Sequence, residues 1–278
     1  MTEPTLCSPQ HEDGCLEGLP LRKYRYQGRH HFYRMLDDEF GRRQRAVDEP
    51  EHVLFSINPV DLQHDFLDPS STYFPKVRFS FDIPHSLLLV KMSSPEHGAA
   101  VGTLATELAL ELAHMGPNTL NEITSFSGSG IRAEGKGKAA DFAWGPRVPP
   151  AGAGATGSVT VAVEVAVSET PTMLKRDIDY WLSPTAGNAN LAIAMKVSRS
   201  EAKVSIEMWR QASRGAHRTQ HTTISKVNNR VTISGDAVII PFQDLFGRAK
   251  LPPAERDGMI SEDQLKRVAG AIWAQQGF

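Results

Sequence analysis

The sequence predicts a mixed fold of the α+β kind, a central mixed sheet flanked by helices with additional strands toward the C-terminus. Three observations carry that reading. The run SVTVAVEVAVSE, 158–169, is apolar and β-branched in the manner of a strand. Two amphipathic helices with good start signals stand on either side of it, at 94–115 and 170–182. The order is helix, a group of strands, helix, then more strands, without the strict alternation of a doubly wound sheet.

The 278 residues suffice for one large domain or two small ones, and 40% hydrophobic with 22% charged residues is an ordinary globular composition. A formal charge of −2 gives no global attraction to nucleic acid or membrane, although local basic patches stay open. The only cysteines, Cys7 and Cys15, lie in a polar N-terminal stretch and make neither a zinc set nor a disulfide framework. No run approaches the roughly 20 apolar residues of a membrane span, and the first residues lack a signal-peptide layout. The expectation is an intracellular protein, cytoplasmic or nuclear, with no membrane partner.

Residues 1–20, rich in Pro, Glu, Ser and Gly, read as a disordered tail. An N-terminal extension packed on the core follows at 21–90. It begins with Arg22, Lys23, Arg25, Arg29, Arg34, Arg42, Arg43 and Arg45 interleaved with Tyr24, Tyr26, Phe32 and Tyr33. Such a mixture tracks phosphates and stacks on bases; alternatively it is the solvated face of an amphipathic helix, which the interruption by Asp37, Asp38 and Glu39 favours. Residues 52–70 look irregular apart from an apolar patch at 53–57, 76–83 alternates as a strand, and 87–92 is a strand or a buried turn.

The core is placed at 91–210. Its first helix has Ser94 as cap, Pro95 in the first turn and Glu96 at the positive end of the dipole, and it stops at Gly116-Pro117. Val101, Leu104, Leu108, Leu112 and Met115 make the buried stripe, His97 and Glu111 fall on or beside it, and Glu107 lies further round toward solvent. Strands are expected at 122–126, 131–133, 139–144 and 159–167, with the Pro/Gly/Ala-rich stretch between the last two as a surface loop. Ser168 and Glu169 mark the approach to the next helix and receive no catalytic role. Thr170 and Pro171 start that helix, and Leu174, Ile178, Trp181 and Leu182 form its apolar face. Strands at 191–197 and 204–209 close the core. The segment 211–278 adds a hairpin about Asn228-Asn229, a short strand at 237–240 and a helix at 261–275.

The chemistry centres on Glu164. An ionised carboxylate within an apolar strand is costly unless it is paired or holds a metal. Alternation puts Val161, Val163, Val165 and Val167 on one face and Ala162, Glu164, Ala166 and Ser168 on the other. That second face, small and polar, suits either solvent or a cleft where a phosphate approaches. Asp141 on a neighbouring strand offers a second acid, and magnesium commonly takes such a pair, leaving positions for water and phosphate. No Ser/His/Asp set, phosphate-binding glycine loop or dinucleotide fingerprint is present.

Asp141, the strand holding Glu164 and the flanking helices resemble the PD-(D/E)xK superfamily, which has the restriction-endonuclease-like fold. More narrowly, VAVEVAVSETPTMLKRDIDYWL resembles a group of such proteins common in fungal genomes, as do MSSPEHGAA and the helix ending in LAHMG. The resemblance spans roughly residues 90–210. It implies a metal-dependent nuclease that hydrolyses phosphodiesters, DNA above all, with Asp141 and Glu164 binding magnesium or manganese and Glu111 or Glu107 as the acid from the first helix. Two positions depart from the pattern: Ala140 precedes Asp141 where proline is usual, and Ala166 stands where the lysine belongs. Lys175 on the following helix is the expected replacement catalytic lysine and Lys138 the second choice. Lys136, Lys138 and Arg176 are candidate phosphate contacts, and a homodimer would suit double-strand cutting. The missing lysine also leaves a second expectation, a catalytically silent nuclease-like domain that binds nucleic acid or protein.

Overall fold

The computed structural model describes residues 21–45, 50–68, 77–126, 130–133, 135–148, 159–167, 169–213 and 215–278. The expected tail, Ser168 and most of the Pro/Gly/Ala-rich loop fall outside them. Chain order is β1 (Arg22–Arg25), α1 (Arg29–Arg45), β2 (His52–Ser56), α2 (Pro59–Leu62) with a π turn, β3 (Arg78–Asp82), β4 (Leu87–Lys91), α3 (Pro95–His114), α4 (Pro117–Asn121), β5 (Ile123–Phe126), β6 (Gly130–Ala133), β7 (Lys136–Ala139) and β8 (Phe142–Pro146). There follow β9 (Val161–Ala166), α5 (Pro171–Leu182), β10 (Leu191–Val197), β11 (Lys203–Ala212), β12 (Gly215–Val227), β13 (Arg230–Gly235), β14 (Val238–Ile240), α6 (Phe242–Phe246), β15 (Gly258–Ile260) and α7 (Glu262–Gln276). The mixed α+β class expected from the sequence is the one observed.

Two large sheets organise these elements. The first runs β1-β2-β4-β3-β7-β6 and the second β13-β12-β11-β10-β9-β8-β5, with β14 and β15 as a separate ladder. In the second sheet β9 and β10 are parallel, joined through α5, while β8 pairs antiparallel with β9 and β11 to β13 extend the far edge as a meander. Val161, Val163, Val165 and Val167 face a core built with α3 and α7, as their alternation requires.

The opposite face departs from one of its two readings. It is not open to solvent, because α5 lies across it: Ala162, Ala166, Ala192 and Ala194 pack with Leu174, Ile178, Trp181 and Leu182. Small side chains let the helix come close, and Glu164 is left fully buried beneath it. α5 is capped by Thr170, whose hydroxyl accepts from Met173 N. Just after the helix, a Cβ on Gly187 would stand 2.5 Å from Trp181 Cα and 2.6 Å from its carbonyl oxygen. Gly187→Ala therefore costs on the order of 1–3 kcal/mol in urea unfolding, whereas Gly270→Ala, which meets nothing within 4 Å on an exposed helix surface, does not destabilise.

Several local expectations are corrected. Residues 22–45 form a strand and then a helix, and their aromatic rings are core: Phe32 and Tyr26 are buried, and Phe32 meets Phe66 edge-on with centroids 5.2 Å apart. Rings committed to a core cannot stack on bases; of the amphipathic-helix reading, Arg34, Asp37 and Asp38 are exposed as a solvated face requires, whereas Glu39 is buried. The supposedly irregular stretch from residue 52 contains β2, a strand paired on both sides. Glu107 is buried, not solvent-facing, because α7 from the far end of the chain packs along α3 and its Arg267 clasps that carboxylate at 2.6 and 2.8 Å. The strand expected at 139–144 is two strands in different sheets, with Ala140 and Asp141 at the crossing between β7 and β8.

Candidate functional site

Asp141 sits where the chain passes from the first sheet to the second. The register Phe142 to Val163, Ala143 to Ala162, continued by one residue, sets Asp141 across from Glu164 on the face covered by α5. The first sheet closes over the same place. Its Leu54 and Leu89 meet Met173 of α5, and the neighbours of those leucines on the same strand faces, His52 and Lys91, lie directly opposite each other in register. Two sheets and α5 thus enclose one polar cluster, with Glu51, His52, Lys91, His97, Lys138, Asp141, Glu164, Glu169 and Asp177 all buried.

Lys91 is its hub. The ammonium lies 2.8 Å from Asp141 Oδ2, 3.4 Å from Glu169 and 3.6 Å from Glu164, and donates to the Val165 carbonyl at 2.8 Å. Burial opposes its charge, but Asp141, Glu169 and Glu164 hold its pKa well above that of free lysine. Lys138 is the second cation, 2.8 Å from Asp177 and 3.3 Å from Glu164, and Trp181 donates its indole N–H to Glu164 Oε1 at 2.5 Å.

Asp141 is saturated. Oδ1 accepts from Arg78 at 2.7 Å with His97 Nε2 at 3.3 Å, and Oδ2 accepts from Lys91 and from the Val165 N–H at 2.7 Å. Burial works to raise its pKa, but the charges of His97, Lys91 and Arg78 win and hold it well below the usual carboxylate range. His97 is correspondingly pushed up, chiefly by Asp141 against the cost of burial.

Other oxygens are left wanting. Glu164 Oε2, both oxygens of Glu169 and Oδ1 of Asp177 are buried without a hydrogen bond, while Asp177 Oδ2 has the Lys138 ammonium at 2.8 Å. Burial, with Asp141 and Asp177 nearby, lifts Glu164 to about 7, and burial with Asp177, Glu51 and Glu164 lifts Glu169 to about 8. His52 goes the other way, to about 3, because burial and the charge of Lys91 disfavour an imidazolium. One ligand atom each from His52, Glu169 and Asp177 lie within 4.8 Å of one another, a buried group with the donor types and spacing to hold a metal ion.

The structure brings together Asp141, Glu164 and Lys138 among the expected site residues. It does not bring in the others. Lys175 pairs with Asp179 and lies 5.2 Å from the Trp209 ring centre. Glu111 pairs with Arg256 and accepts from Met259 N at 3.4 Å, serving β15. Lys136 stands 3.4 Å from Asp82, and Arg176 is half-buried at the edge of the cluster, where its charge helps to lower Asp177. Sequence reasoning missed Lys91, His52, Glu51 and Glu169 as site residues. Only His97, noted on its helix stripe, and Asp177, beside the expected lysine, gave a signal.

No family model and no curated protein matches this chain. Among solved structures, a DUF820 protein from Anabaena variabilis, described as a candidate nuclease, aligns over 66% of this chain and 87% of its own at 10% identity, with a TM-score of 0.36. No helix among the described residues is long and apolar enough to cross a membrane.

Proposed function

We propose that the chain is a metal-dependent phosphodiesterase acting on nucleic acid, with DNA as the expected substrate. The observation that carries this reading is the meeting of Asp141 and Glu164 at one ammonium, Lys91 Nζ, 2.8 and 3.6 Å away. Ala166 leaves the Glu164 strand without a lysine, and β4 of the other sheet supplies one in its place. A bound magnesium or manganese ion would polarise a phosphoryl oxygen and acidify its water. The chain's own groups do the rest. Lys91 lies ready to stabilise charge developing on phosphorus. Glu164 keeps Oε2 free of hydrogen bonds and would hold the ion there together with Asp141. Trp181 and Lys138 fix its carboxylate from the far side.

The donor set fits a divalent cation in one respect and not in another. Glu164, Glu169 and Asp177 keep oxygens free of hydrogen bonds, whereas both oxygens of Asp141 are committed to cations and a backbone N–H. That saturation, with Asp141 buried completely, favours a second reading, a silent nuclease-like module whose cluster only ties two sheets together.

Incubation with plasmid and linear DNA, in magnesium, manganese or EDTA, separates them. The nuclease reading expects cleavage that EDTA stops and that Asp141→Asn and Glu164→Gln each reduce at least about a hundredfold. Cleavage that survives in both variants removes the acids from the mechanism, and a wild-type protein inert under every metal condition leaves the silent module.

A further inference from the structure

Around the buried acids the cations occupy gaps in turn. Lys91 fills the space shared by Asp141, Glu164 and Glu169, and Lys138 fills the one between Glu164 and Asp177. Among the described residues, one gap lacks a cation: the space between Glu169 and Asp177, where the third wall is the imidazole of His52. Two independent observations point into it. The three ligand atoms lie within 4.8 Å of one another, and Glu169 Oε1 and Asp177 Oδ1, on carboxylates that are at least nine-tenths buried, have no hydrogen-bond partner.

We propose that His52, Glu169 and Asp177 form a site for a first-row divalent transition metal such as manganese or zinc, separate from the Asp141 and Glu164 pair. One imidazole with two carboxylates balances the charge of a divalent ion. Two ligands each about 2.1 Å from a tetrahedral zinc stand about 3.4 Å apart, so a group whose atoms lie within 4.8 Å of one another has to draw in around the ion by side-chain rotation. The donor set also selects among ions. Imidazole favours the later transition metals, and magnesium, which sheds water reluctantly, has little room for its water shell in a cluster this buried. Each carboxylate keeps its other contact, Glu169 with Lys91 and Asp177 with Lys138, so a bound ion would be wired through the two lysines to Glu164.

The inference stands on geometry and does not require the hydrolytic reading. The full chain, stripped with EDTA and dialysed, is titrated with Zn2+, Mn2+ and Mg2+ by calorimetry and with Co2+ by visible absorption. Expected are one tight Zn2+ or Mn2+ per chain, Mg2+ weaker by at least about tenfold, and a Co2+ band typical of nitrogen and oxygen ligands. His52→Ala and Asp177→Asn should each weaken Zn2+ and Mn2+ by at least about tenfold, while Asp141→Asn leaves them bound. Mg2+ binding as tightly as Zn2+, or affinity lost in Asp141→Asn and kept in His52→Ala, overturns the site. Where a variant does not fold, the wild-type titration decides: no Co2+ band and no tight Zn2+ rejects the proposal. A chain that binds Zn2+ as described yet never cuts DNA loses the nuclease reading alone.

Discussion

Lys91→Met should destabilise the protein by on the order of 3–5 kcal/mol in urea unfolding at neutral pH. The side chain is nearly isosteric, so packing changes little and the lost charge dominates. Removing one partner of a buried ion pair leaves the other charge uncompensated: here Asp141, ionised at neutral pH, loses its ammonium together with Glu164, which is half ionised at about 7, while Glu169, lifted to about 8, stays largely protonated. The Val165 carbonyl loses its side-chain donor as well. Adding Glu164→Gln to the variant should recover part of the loss, because one of the stranded charges is then gone, and the shortfall from additivity measures the pair. Lys175→Met provides the contrast. Its partner Asp179 is exposed and the pair sits in water, so the cost should stay under about 1 kcal/mol. A loss for Lys91→Met no larger than for Lys175→Met would mean that Lys91 does not neutralise the cluster.

Stability should fall as pH rises from about 5 to 8, opposite to the trend of a protein whose carboxylates are simply salt-bridged. Glu164 titrates at about 7 and Glu169 at about 8 in the folded protein, each raised first of all by burial. Unfolded, both return to the ordinary glutamate range near 4.3. Between those values the folded state holds protons that the unfolded state has released, so the slope of stability against pH is negative. His97, also raised, contributes in the same direction: its share is full below about 6.5 and is lost as pH climbs through its folded value. At the acid end the sign reverses. Asp141 and Asp177 are lowered and Glu51 is lowered to about 2, where the neighbouring His97 and the charge of Lys91 overcome burial. Their contribution is present above about pH 4 and lost below it. His52, lowered to about 3, works against this fall up to about pH 6.5, so the melting temperature in EDTA should peak near pH 5 and drop on the order of 5 °C by pH 8, most steeply above about 6.5. Glu169→Gln, which cannot titrate, should flatten the upper limb. A melting temperature that rises steadily from pH 5 to 8 would refute the protonated cluster.

Both predictions join Glu164, which the sequence advertised, to side chains that it did not. Glu164 was legible because an acid inside an apolar alternating run demands a reason, and its place on the face opposite the valines followed from the period of the strand. Asp141 was legible as a second acid on a neighbouring strand, but nothing in the local residues around it says that the chain changes sheets there. Lys91 looked like the polar end of a short apolar run, and His52 like the start of an irregular stretch. Their roles depend on contacts spanning 50 residues to Asp141 and 74 to Val165, which no local pattern encodes. Lys175 was the natural candidate by adjacency along α5, yet helix geometry turns it toward Asp179 and Trp209 while Asp177, two residues on, points into the cluster.

What the sequence determined by itself is the set of elements that carry their own signal. These are the helices with their Ser94 and Thr170 caps, the alternating strand of Glu164 with its valine face, and the mixed class that follows from their order. Local propensity and side-chain period fix such features residue by residue. Only the tertiary structure decided that α5 and the first sheet bury the acids, that Lys91 meets both Asp141 and Glu164, and that His52, Glu169 and Asp177 converge. The physical reason is desolvation. Each of these ionisable groups would be ordinary on a surface, and it is their joint removal from water by two docking sheets that forces them to pair, to shift their proton affinities and to leave one gap for a cation.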